Sequence, residues 1–404
     1  MRKHKLVLAG VTLLAASLAM SACGSRAEQA PGGEAGAAKV AKIGVIAPLS
    51  GDLSALGTGI KNSVDLAIKQ ANEKKTIPGW TLEIDAQDDQ AAPDVGKNAA
   101  TKLAGDNEVV AVVGTLNSSV SQSVQPVLSG AQITQVSPAN TNPTLTKGAD
   151  LANPKRPYPG YFRTCTTDDV QGPFAAKYLL GEKITKVATI HDKKAYGQGL
   201  VDAFTTEFKK GGGTVVAAET INPDESNYQA VVSKVAPSKP QAVYYGGEYP
   251  QGGPLSQQMK SAGLNVPLMG GDGIYDPKYI QLAGSTSNGD LATSVGAPTD
   301  STDAGKKFLS EYQAAGYAEP SAAYGGYSYD AANAIIAGLK SSLASAADAK
   351  SARTATIDAV GKVSFDGVTG KVAFDQYGDS TSKVLTVYKV DGGKWVAAKT
   401  DTFK

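Results

Sequence analysis

The segment 109–143 constrains the fold of this chain more than any other part of the sequence. Residues 109–113 form a continuous apolar, β-branched run, typical of a strand buried on both faces, and Gly114 ends it. A helical pattern over 119–128 and a second strand over 132–136 follow, so the segment predicts a β-α-β unit. The loops after the two strands should lie side by side, at the sheet edge where open α/β sheets bind ligands.

Charged residues are absent from Val109 to Thr146, which is unusual for a helix and its flanking loops. The predicted helix starts with Ser118 and Ser119, whose hydroxyls, together with free backbone N–H groups and the positive end of the helix dipole, suit a small carboxylate. The second loop adds Thr141. Each loop also has a structural interpretation, in which Ser118 caps the helix and Thr141 shapes a turn before Pro143. Both interpretations stay open at this point.

Composition excludes several classes of function. The chain has 404 residues, enough for about two domains, and its 39 basic and 38 acidic residues form no basic stripe for nucleic acid. Two cysteines and two histidines exclude a Cys/His zinc cluster and a disulfide framework. The sequence has neither a G-x-S-x-G turn nor a phosphate-binding G-x-x-x-x-G-K-[S/T] loop. We therefore expect a binding protein without metal or cofactor rather than an enzyme.

Residues 1–22 have the three-part pattern of a signal peptide, with a basic start and an apolar stretch from Leu6 to Met20. That stretch is shorter than the roughly 20 residues of a membrane-spanning helix. The run Met20-Ser21-Ala22-Cys23-Gly24 resembles the lipobox of bacterial lipoproteins, in which the cysteine is lipidated and becomes the mature N-terminus. Residues 23–39, rich in Ala, Gly and Glu, have the composition of a flexible tether. We expect Cys23 to anchor the protein to the outside of the cell membrane.

From Val40 onward, strand and helix patterns alternate in two successive arrays. The second array restarts at Lys186 and includes predicted helices at 199–210 and 255–262. Its loops at strand ends cover 192–197, 246–249 and 270–275. Predicted strands at 162–164, 290–295 and 369–375 cross between the arrays. The pattern predicts an α/β protein with a cleft between two lobes and with crossings suited to hinge bending.

The motifs of the second array are Gln171-Gly172-Pro173, His191-Asp192-Lys193 with Tyr196-Gly197-Gln198-Gly199-Leu200, and Tyr244-Tyr245-Gly246-Gly247. They resemble the type I periplasmic-type solute-binding proteins that serve ABC importers of branched-chain amino acids, over a span from Lys42 to about Asp379. The resemblance implies two doubly wound α/β lobes, joined by three crossing strands, that close around one amino acid. In this chain, the first lobe would comprise residues 40–161 and 296–370, and the second lobe would comprise residues 162–295 and 371–404.

The resemblance also implies which residues bind the ligand. Ser118 matches the family's carboxylate-binding serine, and the loop Ala139-Asn140-Thr141 matches the one that contacts both the ammonium and the carboxylate. In the second lobe, Tyr196 and Asp272 match, with Asp272 pairing with the ammonium. Tyr324 matches a pocket-lining aromatic residue.

Several positions depart from the family pattern. Glu248 replaces an aromatic residue that often follows Tyr-Tyr-Gly-Gly, and we expect it to assist Asp272. Ala91 and Asn117 stand where relatives can carry a disulfide, and Leu56 stands where an aromatic residue can line the side-chain pocket. These departures concern the ligand's side chain and leave the residues for its α-amino and α-carboxyl groups in place.

We therefore predict an extracytoplasmic, lipid-anchored receptor that captures a branched-chain amino acid of the Leu, Ile or Val type. It would pass the amino acid to the permease subunits of an ABC importer. One alternative is the same fold with another amino acid, an amide or urea as ligand, which Glu248 favours; another is a scaffold for a peptide or protein. We expect a monomer, with Cys165 as a buried free thiol.

Overall fold

A computed structural model of the protein describes residues 38–403. The predicted signal peptide, the lipidation site Cys23 and the tether up to residue 37 lie outside the described residues. Within the described range, no helix combines the length and the apolar character needed to cross a membrane.

The first part of the chain forms a five-stranded parallel sheet with the order β2-β1-β3-β4-β5. Its elements are β1 (Lys39–Ala47), α1 (Ser54–Glu73), β2 (Trp80–Asp88), α2 (Pro93–Gly105), β3 (Val109–Gly114), α3 (Ser118–Gly130), β4 (Thr134–Ser137), α4 (Thr144–Lys147) and β5 (Tyr161–Arg163).

A seven-stranded sheet follows, with the order β14-β13-β10-β9-β8-β6-β7. After β5, the chain continues with α5 (Asp168–Gly181), β6 (Lys186–His191), α6 (Ala195–Lys210), β7 (Thr214–Thr220), α7 (Gln229–Val235), β8 (Ala242–Gly246), α8 (Tyr249–Ser261), β9 (Leu268–Gly270), α9 (Pro277–Ala283) and β10 (Leu291–Ser294). The chain ends with α10 (Asp303–Ala314), α11 (Gly325–Ser342), α12 (Arg353–Val360), β11 (Ser364–Gly367), β12 (Gly370–Ala373), β13 (Val384–Asp391) and β14 (Lys394–Thr402).

The helices α10, α11 and α12 return to the first sheet, where α11 packs on α1 and α12 packs on β3 and β4. We call the first sheet with α1–α4 and α10–α12 the first lobe, and the second sheet with α5–α9 the second lobe. The chain passes between the lobes in the segments 164–167, 295–302 and 374–383. The residue limits of the lobes that we inferred from the sequence stay a prediction.

The absence of charge in the β-α-β unit follows from its burial. All six residues of β3 are buried between β1 and β4, and the apolar residues of α3 pack in one cluster with α2. Gln135 of β4 links the parts of the unit, since its amide donates to the carbonyl of Gly114 and to the hydroxyl of Ser121. A charge here would lose its hydration without gaining a partner.

Two helices of the second lobe begin earlier than the sequence predicts. Helix α6 begins at Ala195 rather than 199, and α8 begins at Tyr249 rather than 255. The proline in the first turn of α8 is compatible with a helix, because the N–H groups of that turn have no partner within the helix anyway. Gly253 allows a close approach to α9, since a Cβ there would lie 2.7 Å from the Cβ of Leu282. Tertiary packing therefore extends both helices into segments that we predicted to be loops.

The three strands predicted to cross between the arrays pair within the two sheets or in a separate hairpin. The strand near 162–164 is β5, the edge of the first sheet, and the strand near 290–295 is β10, inside the second sheet. The strand predicted at 369–375 is wrong as a crossing strand, because β12 pairs with β11 in a separate hairpin. The carboxylate of Asp330 holds this hairpin by accepting hydrogen bonds from the N–H groups of Val368 and Thr369.

A buried guanidinium at the end of β5 joins the first lobe to the third crossing. Arg163 is fully buried; its Nε donates to Asp379 at 2.7 Å, and its Nη1 donates to the carbonyls of Asn140 and Asn142 at 2.8 and 2.9 Å. Its Nη2 donates to the hydroxyl of Thr146. Burial is the largest single effect and would lower the pKa of Arg163, but the charge and hydrogen bond of Asp379, together with the nearby Tyr161 and Cys165, raise the pKa overall. The loop after β4 is thus held in place by the buried charge of Arg163, which in turn requires Asp379 as its counter-charge.

We expect Asp379→Asn to lower the free energy of unfolding by about 3 to 5 kcal/mol, because it leaves a buried guanidinium without its counter-charge. Urea unfolding followed by circular dichroism measures the effect. The matched control is Asp366→Asn, which breaks an exposed pair with Lys371 at 3.7 Å and should cost about 0 to 1 kcal/mol. Equal stability of the two variants would contradict the importance of the Arg163 pair.

Candidate ligand-binding site

The two loops that follow β3 and β4 lie side by side, as the sequence predicts. The hydroxyl of Ser137 donates to the carbonyl of Thr115 at 2.9 Å, and the amide of Asn140 donates to the carbonyl of Leu116 at 2.9 Å. Both loops are buried. These bonds make one continuous wall from the carboxyl ends of two adjacent strands.

A cavity of about 20 Å³ lies between this wall and the second lobe. Six of the eight ligand-binding residues predicted from the sequence line it, three from each lobe, namely Ser118, Ala139 and Tyr324, and Tyr196, Glu248 and Asp272. The lining also includes Leu56, Leu116, Asn117 and Gly273. The cavity is therefore the place where both lobes meet around the predicted site.

Asp272 is the acidic centre of the cavity. Its Oδ1 accepts hydrogen bonds from the Gln171 amide at 2.9 Å and the Tyr196 hydroxyl at 2.8 Å. Its Oδ2 accepts from the hydroxyl of Tyr324 in the first lobe at 2.8 Å. Burial raises the pKa of Asp272 although these three bonds oppose the rise. A cation beside this carboxylate would compensate the cost of its burial.

Gln171 holds the Asp272 carboxylate in this orientation. The Gln171 Oε1 accepts from the backbone N–H of Asp272 at 2.9 Å and from the hydroxyl of Thr293 at 2.7 Å, so its amide nitrogen must face the carboxylate. Gln171 belongs to one of the sequence motifs, but its role was not predicted from the sequence. Its partners lie about a hundred residues or more along the chain, and only the fold brings them together.

Ser118 is the first residue of α3, and it is buried. The hydroxyl of Ser118 accepts a long hydrogen bond of 3.4 Å from the backbone N–H of Asn142, so it ties the first loop to the second. The first-turn N–H groups of a helix have no partner within it, and the helix dipole adds positive potential there. The first lobe thus offers neutral hydrogen-bond donors, opposite the acids of the second lobe.

Glu248 has a partner for each of its oxygens. Its Oε1 accepts from the amide of Asn117 in the first lobe at 2.7 Å, and its Oε2 accepts from the ammonium of Lys194 at 2.9 Å. Burial and the nearby Glu248 charge raise the pKa of the adjacent Asp192 to about 8. Glu248 therefore joins the two lobes, a role that the sequence did not predict.

Two further contacts close the cleft. The amide of Asn142 donates to the carbonyl of Ala195 in α6 at 2.6 Å. The hydroxyl of Tyr249 donates to the carbonyl of Asp52. Together with the Asn117 and Tyr324 bonds, these contacts enclose the cavity from several sides.

Asn140 and Thr141 do not line the cavity. Asn140 is used structurally, because its Oδ1 accepts from the hydroxyl of Tyr161 at 3.1 Å and its carbonyl accepts from Arg163 and from the thiol of Cys165. Cys165 is a buried free thiol, as predicted. The hydroxyl of Thr141 is buried and has no hydrogen-bond partner among the described residues.

A second buried acid lies next to Thr141. The backbone N–H of Asp168 donates to the carbonyl of Thr141 at 2.8 Å, and both carboxylate oxygens of Asp168 lack partners within residues 38–403. Burial and the charge of Asp272 raise the pKa of Asp168 well above its usual range. The sequence prediction missed this residue, since an aspartate at a helix start is the common signature of a cap. Among the described residues, no group of three or more acids, histidines and cysteines could hold a metal ion.

Comparisons with known proteins identify the family. Residues 40–394 match the periplasmic binding protein family. The Leu/Ile/Val-binding protein BraC3 of Rhizobium johnstonii is 35% identical over 358 residues, which cover 88% of this chain and 93% of that protein. The family consists of solute-binding proteins of ABC transporters, so the chain is not an enzyme, and its members act outside the cytoplasm.

Solved structures agree with the fold. The branched-chain amino acid transporter substrate-binding protein LivJ of Streptococcus pneumoniae, solved in complex with isoleucine, superposes with a TM-score of 0.78 at 25% identity, covering 90% of this chain and 99% of that one. A solute-binding protein of R. palustris, solved in complex with benzoate, has a TM-score of 0.78 at 21% identity, covering 90% of this chain and 96% of that one, and shows the fold alone. The two-lobed α/β fold, the cavity between its lobes and the match over most of its length lead to one conclusion: this chain belongs to the periplasmic binding protein family.

Proposed function

We propose that this protein is the substrate-binding lipoprotein of an ABC importer and that it binds a branched-chain amino acid of the Leu, Ile or Val type. The ligand occupies the cavity between the lobes, which close on it by hinge bending at the three crossings. Cys23 carries the lipid that anchors the protein outside the cell membrane, and the permease subunits of the importer are its partners.

One observation supports an α-amino acid as the ligand. The cavity has neutral donors on one side, at Ser118 and the start of α3, and a buried carboxylate on the other, at Asp272. An α-amino acid is a zwitterion whose carboxylate and ammonium complement these two sides. Because Tyr324 and Tyr196 donate to Asp272 from opposite lobes, the ammonium site is complete only when the cleft is closed.

Asp272 also argues against a simple carboxylic acid as ligand. An acid such as benzoate has no cation, so its binding would leave the Asp272 carboxylate buried without compensation. Another amino acid, an amide or urea remains the alternative, since Asn117 and Glu248 add polar groups to the lining. A thermal-shift panel separates these ligands, because a ligand at 100 times its Kd stabilises a protein by about 2.7 kcal/mol.

We expect Asp272→Asn to weaken leucine binding by about 2 to 5 kcal/mol, or roughly thirtyfold or more in Kd, because the ammonium loses its buried counter-charge. Calorimetric titration measures the affinity, and small-angle scattering measures the compaction on ligand addition. The ligand-free variant should unfold at the same temperature as the wild type or higher, since a neutral amide is cheaper to bury than a carboxylate.

The control for Asp272→Asn is Asp303→Asn, whose side chain is exposed. Loss of stability without loss of affinity in Asp272→Asn would instead mean that the residue shapes its turn and does not bind the ammonium.

Removal of the Ser118 hydroxyl tests whether the first-lobe side of the cavity binds the carboxylate of the ligand. We expect Ser118→Ala to lose a hydrogen bond to a charged group, worth about 1.5 to 3 kcal/mol, or about tenfold or more in Kd for leucine. Ser129→Ala, near the other end of α3, is the matched control and should bind normally. Wild-type affinity in Ser118→Ala would refute this carboxylate site.

The lipid anchor is tested by cell fractionation. We expect Cys23→Ala to move the protein out of the membrane fraction, because lipidation needs the thiol. Cys165→Ala is the control; its thiol is buried in the folded protein, so this variant should stay with the membrane. Unchanged membrane retention of Cys23→Ala would show that something other than this cysteine holds the protein there.

A further inference from the structure

Part of the cavity lining is not needed for the zwitterion. In the proposed function, on which this inference rests, Ser118 and Asp272 hold the carboxylate and the ammonium. Five side chains of the lining are accounted for neither by these groups nor by the tyrosines: the apolar Leu56, Leu116 and Ala139, the amide Asn117 and the carboxylate Glu248. These five side chains are left to contact the side chain of the ligand. Two of the five are polar, which is unexpected for a purely aliphatic ligand.

The hydrogen bond to Glu248 settles the orientation of the Asn117 amide. The atom of Asn117 that lies 2.7 Å from the Glu248 Oε1 is the amide nitrogen, which donates to the carboxylate oxygen. The Asn117 Oδ1 is consequently directed elsewhere. It is buried, it belongs to a residue that is 4% exposed, and it has no hydrogen-bond partner within residues 38–403. A buried acceptor in this state costs free energy unless a donor reaches it.

Glu248 adds further acceptor capacity at the same end of the cavity. A carboxylate can accept about four hydrogen bonds, and Glu248 accepts one from Asn117 and one from Lys194. Lys194 already pairs with the Glu248 carboxylate, so a neutral donor suits this end of the cavity better than a second cation. A hydroxyl on a side chain of branched-chain size is such a donor.

We infer that Asn117 and Glu248 select amino acids whose side chain has the size of valine and carries a hydrogen-bond donor, so that the protein binds L-threonine at least as tightly as L-valine. The two ligands have nearly the same shape and differ by a hydroxyl in place of a methyl group. An apolar side-chain pocket would bury the hydroxyl unsatisfied and favour valine. Here the Asn117 Oδ1 receives the hydroxyl proton.

Calorimetric titration of the purified protein with L-threonine and L-valine tests the inference. In the wild type, we expect the Kd for threonine to be equal to or below that for valine. Asn117→Leu keeps the shape of the side chain but removes the acceptor, and it should shift the ratio of the two Kd values toward valine by about tenfold. Asn117→Leu also removes the hydrogen bond to Glu248 and so weakens closure of the lobes. This loss affects both ligands equally, so it does not change the ratio of their two Kd values in the variant.

Leu56→Ala is the matched control for Asn117→Leu. It enlarges the cavity without changing its donors or acceptors, so both ligands should weaken together and the ratio should stay as in the wild type. Wild-type protein that binds valine tenfold or more tightly than threonine overturns this inference and leaves amino-acid binding intact. Failure to bind either ligand, or any other α-amino acid, overturns the proposed function and this inference with it.

Discussion

The guanidinium of Arg163 is the interaction on which the geometry of the site depends. Its donors contact the Asp379 carboxylate of the third crossing, two carbonyls of the loop after β4 and the hydroxyl of Thr146. A fully buried charge is tolerated only when its counter-charge and hydrogen-bond partners are complete. The loop that supplies Ala139 and Thr141 is therefore held to the same point as a connection between the lobes. The loop of the candidate site and the third crossing are therefore joined through Arg163 before any hinge motion begins.

The second constraint is the distribution of charge across the cleft. The first lobe presents a charge-free strand-helix-strand unit, and the second presents Asp272 and Glu248. Glu248 has both an amide and an ammonium partner, whereas Asp272 has only neutral donors. Burial raises the pKa of Asp272, and the neutral donors only oppose that rise. In the proposed function, the ammonium of the ligand compensates the cost of this buried carboxylate and so couples occupancy of the cavity to closure of the lobes.

Most elements of regular structure could be predicted from the sequence, and the errors have a common cause. Apolar runs and helical periodicity located β3, α3 and β4, because those signals are contained within a few consecutive residues. Errors occurred where glycine and proline occur in segments that the fold makes helical, as at the start of α8, and where a strand was predicted to cross between the lobes, as for β12. Packing against α9 and pairing with β11 decided these cases. Neither interaction can be predicted from a few consecutive residues.

The sequence by itself determined the α/β alternation and the uncharged strand-helix-strand unit around Ser118, since each depends on residue types over a short span. Only the tertiary structure decided that Asn117 contacts Glu248, 131 residues away, that Arg163 pairs with Asp379, 216 residues away, and that Asn140 is structural. The contact of Asn117 with Glu248 depends on how the two lobes face each other, and the contacts of Arg163 and Asn140 depend on how the first sheet packs with its loops and with the third crossing. Hydrogen-bond geometry over that distance follows from the packing of the whole fold and has no local signature in the chain.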